Sequence, residues 1–180
     1  TNRAAFSAAR RAAMQAPPPH NPLLILGGAG NGKTHLLQAL TRRRRNLFPK
    51  DRTVYVTGED LASEFVLAVR RRQERGFAEM MRRIDLLALD DVAGLARADD
   101  GQKVIGALLV ELLTRGGAPI VSANRPPGQL AVDKPPIKLF RAAHLTPIPS
   151  PDPALRPAAL KNPLAHELKR RRNPSIARPA

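Results

Sequence analysis

Cysteine is absent from the 180 residues, which excludes disulfide frameworks, thiolate nucleophiles and cysteine-ligated zinc sites. That usage fits a reducing cytoplasm. Tryptophan is absent as well and aromatics make up 3% of the chain, so few rings are available for stacking on nucleic-acid bases. No apolar run approaches the roughly 20 residues that span a bilayer. The N-terminal stretch also lacks the apolar core of a signal peptide. The chain starts at Thr1 rather than Met, which leads to the expectation of a fragment or a processed chain. Acidic residues are scarce: 15 Asp and Glu face 30 Lys and Arg, a formal charge of +15. Such an excess repels itself and is relieved by an anionic partner, nucleic acid being the leading class.

What is present is ordinary globular material with an uneven distribution of breakers. Apolar residues make up 43% of the chain, yet twelve of the 18 prolines fall from Pro126 onward. The first two thirds therefore read as folded α/β material and the last third as Pro-rich and weakly structured. Residues 3–15 have helix composition and stop at Pro17-Pro18-Pro19. Leu23-Leu24-Ile25-Leu26 reads as a buried strand, followed by a glycine-rich turn and a helix over residues 33–45. Val54 to Thr57, Ile84 to Leu89 and Pro119 to Ser122 read as further strands. Helices are expected from Glu59 to about Arg83 and over residues 102–115. Strands alternating with helices imply a parallel sheet with crossover connections and helices on its faces.

Gly27-Gly28-Ala29-Gly30-Asn31-Gly32-Lys33-Thr34 satisfies the P-loop pattern G-x-x-x-x-G-K-S/T, placed after an apolar strand and before a helix. Glycines let the backbone wrap until its N–H groups face phosphate oxygens, and the helix N-terminus adds partial positive charge. Lys33 is expected to reach the β- and γ-phosphates and the Thr34 hydroxyl to hold Mg²⁺. Asp90 and Asp91 end an apolar strand in the Walker B manner. Asp90 is expected to support Mg²⁺, directly or through water. Asp91 stands where related ATPases carry a glutamate that orients the attacking water, and its shorter side chain predicts slow hydrolysis. Asn124, just after the fourth strand, is placed for the sensor role, contacting the γ-phosphate or the attacking water; read alone it is a turn residue.

Several pieces taken together resemble the AAA+ ATPase domain of the DnaA family of bacterial replication initiators. They are Asn2-Arg3-Ala4, Asn21-Pro22-Leu23, Gly27-Gly28 through Gly32-Lys33-Thr34-His35-Leu36-Leu37, Val54 to Thr57, Leu86 to Val92, and Asn124-Arg125-Pro126-Pro127. The resemblance covers residues 2 to about 127. It implies ATP-dependent assembly with other AAA+ subunits on origin DNA, nucleotide contacts from Gly28 to His35, and an adenine pocket lined near Asn2. It also implies that the helical insertion before Walker B holds single-stranded DNA. Here that insertion carries Arg70, Arg71 and Arg72, with Arg75, Arg82 and Arg83 beyond. Closely set guanidiniums can pair with successive phosphates, although a solvated helix face is the plainer reading of the same residues. Arg42 to Arg45 are expected to serve as helix C-terminal charge.

The sequence also departs from the family. Asn124 stands where DnaA proteins usually have Asp. Lys138-Leu139-Phe140 stands where an arginine finger precedes Phe, so the finger is expected to be missing, and Arg141 is not given that role. Pro151-Asp152, Leu155-Arg156 and Leu160 resemble the entrance to a helical lid, whose sensor arginine and following helix-turn-helix the sequence lacks. The expected organisation is a nucleotide-binding core over 1–127, a degenerate continuation toward the lid over 128–160 and a basic tail over 161–180. One alternative function is a helicase-loader or transposition-helper ATPase of the DnaC and IstB kind, with a replicative helicase as partner. Another is a degenerate nucleotide-binding module.

Overall fold

A computed structural model describes Ser7, Arg10, Arg11, Met14, residues 21–98, residues 101–130, Phe140 and residues 143–148. All of them fall in the first of the two units into which the chain divides, Thr1–Pro149. Ser7, Arg10, Arg11 and Met14 are helical, in keeping with the alanine-rich composition there. Asn2, Lys138, Leu139, Arg141 and the expected lid entrance and tail lie outside the described residues.

Five parallel strands form one sheet in the order β2-β3-β4-β1-β5. They are β1 (Leu23–Leu26), β2 (Thr53–Thr57), β3 (Leu86–Asp90), β4 (Ala118–Ala123) and β5 (His144–Pro147). The central strands β3 and β4 are buried at every position, which is why they read as continuous apolar runs rather than alternating ones. Among the described residues the connections between strands carry the helices α1 (Lys33–Leu47), α2 (Gly58–Arg70), α3 (Glu74–Arg82) and α4 (Gly101–Thr114).

Successive side chains of a strand face opposite ways, and the core divides accordingly. Leu24, Leu87, Leu89, Val121 and Ala123 pack with Leu61 and Phe65 of α2, Phe77 and Met81 of α3, and Ile105 and Leu109 of α4. Leu23, Ile25, Leu86, Ala88 and Ile120 pack on the other face with Leu37 and Leu40 of α1. Helices thus cover both faces of a parallel sheet, the arrangement expected from the sequence. Truncating a side chain such as Leu109, wholly buried, costs about 2–5 kcal/mol in cores of this kind.

Three local features differ from the sequence reading. The helix expected from Glu59 to Arg83 is interrupted at Arg71 to Gln73, with Arg72 in the left-handed region at φ 56°. An unbroken helix would hold Phe65 and Phe77 roughly 18 Å apart. The break lets their rings meet edge to face with centroids 5.4 Å apart. Second, Arg44 stands in the last turn of α1 as expected but is more than terminal charge: it is buried, pairs with Asp51 and lies over the Phe48 ring at 4.3 Å. Its neighbour Arg45 donates to the Thr53 carbonyl at 2.9 Å, tying the end of α1 to β2. Third, β5 adds a strand in the stretch after Gly128 where the sequence reading placed none. It is an edge strand, where Pro147 removes no needed donor.

Candidate nucleotide site

The P-loop leaves the C-terminal end of β1, between β4 and β5, the part of an open parallel sheet where ligands bind. Gly27 is anchored on both sides: its N–H donates to the Ala123 carbonyl at 3.2 Å, and a Cβ there would stand 2.9 Å from the Ile148 carbonyl oxygen. Gly30 and Gly32 have φ of 76° and 81° with open space where a Cβ would be. Their need for glycine is conformational rather than steric. Gly32 caps α1 without a side-chain hydrogen bond, so the first amides of that helix are not satisfied by a cap. Gly28, Ala29, Gly30, Thr34 and His35 are exposed around this turn.

Lys33 lies along the loop. Its Nζ donates to the Gly27 carbonyl at 2.7 Å and the Gly28 carbonyl at 2.8 Å, and the residue is 7% exposed. Burial lowers its pKa below the ordinary lysine value, against the attraction of the Asp90 and Asp91 carboxylates, which raises it. Asn31, expected to contact nucleotide as part of the loop, turns its side chain away from the open side of the loop. It is buried and donates from Nδ2 to the Ile148 carbonyl at 3.0 Å, fastening the loop to the end of β5.

Asp90 closes β3 beside this loop. Ser122 Oγ donates to its Oδ1, and the Tyr55 hydroxyl donates to its Oδ2 at 2.8 Å. Burial pushes the Asp90 carboxyl up, but hydrogen bonds from Ser122, Thr34, Tyr55 and the Asp91 amide outweigh it and hold the group below its usual range. Asp90 is therefore a carboxylate, as a cation-supporting role requires. Asp91 leaves the strand with φ 50°. Successive strand side chains face apart, yet Lys33 feels both carboxylates. The left-handed turn at Asp91 is the departure from strand geometry that accompanies this arrangement, and Asp is among the residues that tolerate it. Asn124 Nδ2 lies 3.4 Å from Asp91 Oδ1, a long contact that still places the two side chains together.

Lys33, Thr34, Asp90, Asp91 and Asn124 thus converge at the C-terminal end of the inner strands β1, β3 and β4. The residues fit a magnesium-bound triphosphate chemically: open main-chain donors, a cation on the loop, a hydroxyl and an ionised carboxylate. Arg70, Arg71 and Arg72 do not join them. They are exposed at the turn between α2 and α3, at the far end of a 13-residue helix that starts beside the site, roughly 20 Å along its axis. Of the other arginines of that insertion, Arg82 pairs with Glu111 at 2.8 Å. Ser122 and Tyr55 were not singled out in the sequence. Both act through strand register, with Ser122 one position beyond the Leu89–Val121 pair, and nothing local marks them.

Residues 1–135 match the family model described as the bacterial DnaA ATPase domain. The chain belongs to the DnaA ATPase domain family. Among DnaA relatives, the chromosomal replication initiator protein of Caulobacter vibrioides is 41% identical over 129 residues, covering 72% of this chain and 26% of that protein. The initiator of Cereibacter sphaeroides is 36% identical over 129 residues, covering 72% and 28%. The chain therefore spans about a quarter of the length of these DnaA relatives. Domain III of the Thermotoga maritima replication initiation protein DnaA superposes with a TM-score of 0.83 at 27% identity, over 93% of this chain and 70% of that one. AMPPCP-bound DnaA from Aquifex aeolicus gives a TM-score of 0.80 at 28% identity, over 92% and 51%. A replication initiator DnaA bound to AMPPCP and single-stranded DNA gives the same values. The DnaC helicase loader, at 18% identity and a TM-score of 0.66 over 82% of this chain and 89% of that one, shares the fold alone.

Among the described residues, no helix is long and apolar enough to cross a membrane.

Proposed function

We propose that this chain binds ATP with Mg²⁺ and acts as the nucleotide-dependent switch of a DnaA-type replication initiator. In this reading it assembles with other AAA+ subunits on origin DNA and holds single-stranded DNA through Arg70, Arg71 and Arg72. The observation that carries the nucleotide assignment is the Lys33 ammonium seated on the Gly27 and Gly28 carbonyls, beside a carboxylate kept ionised. On nucleotide entry Lys33 exchanges those carbonyls for phosphate oxygens, and the amides from Gly28 to Thr34 line the phosphates. Thr34 and Asp90 are the residues to hold Mg²⁺, which when bound offsets the phosphate charge. Asp91 and Asn124 form the pair that orients a water. With aspartate in place of glutamate there, hydrolysis is slow, so the chain works mainly as a binding switch.

The AMPPCP-bound relative supports the nucleotide, and the relative bound to a single strand supports the DNA partner. The expected tail over 161–180 adds basic charge to the same task. Asn124 favours a second reading, the helicase-loader kind of ATPase with a replicative helicase as partner, because DnaA proteins usually have Asp there. Fluorescence anisotropy of a labelled single strand, titrated with the full chain with and without ATP, tests the switch. Binding tightens with ATP; equal affinity in the two titrations contradicts the proposal.

A further inference from the structure

Ser122 sits at 0% exposure near the end of β4 and takes part in two hydrogen bonds at once. Its Oγ accepts the Asp91 main-chain N–H at 2.8 Å and donates to Asp90 Oδ1. The direction of this chain is fixed by chemistry. An ionised carboxylate can only accept and an amide N–H can only donate, so the single hydroxyl proton goes to Asp90 and a lone pair faces Asp91. A relay in one direction polarises each of its members, and Ser122 and Asp90 are both buried, where a lost partner is costly.

Asp91 is held from other sides as well. Its carbonyl accepts the Gly94 N–H at 3.0 Å, and Gly58 approaches so closely that a Cβ there would lie 2.4 Å from the same oxygen. Those contacts hold the Asp91 carbonyl, whereas Ser122 bridges the Asp91 N–H to the Asp90 carboxylate from the neighbouring strand.

We infer that Ser122 is a positioning residue of the nucleotide site, its one hydroxyl setting the Asp90 carboxylate and the Asp91 backbone relative to each other. This rests on the proposed nucleotide reading. Ser122 acts through its two neighbours, keeping Asp90 aimed and Asp91 in its left-handed turn. Removing the hydroxyl takes one of its donors from Asp90 and the acceptor of the Asp91 N–H, and leaves the carboxylate to settle among its remaining donors, Tyr55, Thr34 and the Asp91 amide.

The test compares ATP affinity with and without Mg²⁺ in the full chain, for the wild type, Ser122→Ala and Ser122→Thr. Hydrogen bonds to a charged group are strong enough that Ser122→Ala should shrink the Mg²⁺-dependent gain in affinity about tenfold. Ser122→Thr, which keeps the hydroxyl, should restore it. A lesion of folding alone lowers both affinities and leaves their ratio unchanged, and an unchanged ratio overturns the inference. Amide hydrogen exchange supplies a reading independent of ligand: the Asp91 N–H is slow in the wild type and fast in Ser122→Ala. Free exchange of that amide in the wild type overturns the inference even if the threonine variant fails to fold. A wild type that binds no ATP overturns the nucleotide reading and this inference with it, whereas a wild type with a large Mg²⁺ effect that Ser122→Ala retains overturns the inference alone.

Discussion

The Tyr55 hydroxyl donates a 2.8 Å hydrogen bond to Oδ2 of Asp90, reaching from the edge strand β2 to its neighbour β3. Burial first, and then this bond and the charge behind it, push the phenol up to about 12 from its ordinary 10.0. Tyr55 is the chain's one tyrosine and tryptophan is absent, so the rise in near-ultraviolet absorbance that accompanies phenol ionisation reports it alone. Between these two pH values the folded chain keeps a proton that the unfolded chain has lost. The stability this contributes is fully present below pH 10.0 and disappears as pH rises through about 12. Asp90→Asn should bring the midpoint down toward, but not to, the ordinary value, because burial persists. A wild-type midpoint at the ordinary value contradicts the Tyr55–Asp90 contact.

Two glycines should respond to the same substitution with opposite sign. At Gly58 an added methyl would meet the Asp91 carbonyl oxygen at 2.4 Å, whereas at Gly76 in α3 nothing lies within 4 Å. Gly58→Ala is expected to destabilise the fold by about 1–3 kcal/mol, in the range of overpacking. Gly76→Ala is expected to stabilise it by about 0.5–1 kcal/mol through helix propensity. Urea denaturation midpoints measure both, and a Gly58→Ala midpoint at or above that of the wild type would contradict the close approach of α2 to Asp91.

The arginines of the α2–α3 turn make a prediction about salt. If Arg70, Arg71 and Arg72 each neutralise one phosphate of a single strand, replacing all three by Ala lowers the slope of log affinity against log salt by about 2. The effect should be uniform across sequences, since phosphate contacts carry no base information. Binding isotherms of the triple variant at several salt concentrations check it; an unaltered slope places the single strand elsewhere.

The parts of this site that were legible in the sequence are those built from neighbouring residues. A P-loop is one continuous turn, and the strands before it and before Asp90 are buried on both faces, so their composition announces them. The parts that were not legible depend on partners far apart in the chain. Ser122 and Tyr55 meet Asp90 across separations of 32 and 35 residues, and only the register of three strands brings them together. The α2–α3 break contains neither Gly nor Pro to announce it, and the contact that accompanies it, Phe65 on Phe77, joins residues twelve positions apart. β5 carries little sequence signal because it is four residues long with only Thr146 buried among them. Asn31 fits the P-loop pattern at a position open to any residue, so the pattern cannot say that its side chain turns away to Ile148.

Equilibrium binding of ATP to the full chain and to Lys33→Ala, with folding of both verified by thermal melting, puts the nucleotide assignment at risk most directly. Loss of a desolvated charge that contacts phosphate should weaken binding about 100-fold. Equal affinity in the two proteins would mean that the loop from Gly27 to Thr34 does not hold the triphosphate, and the functional reading built on it would be wrong.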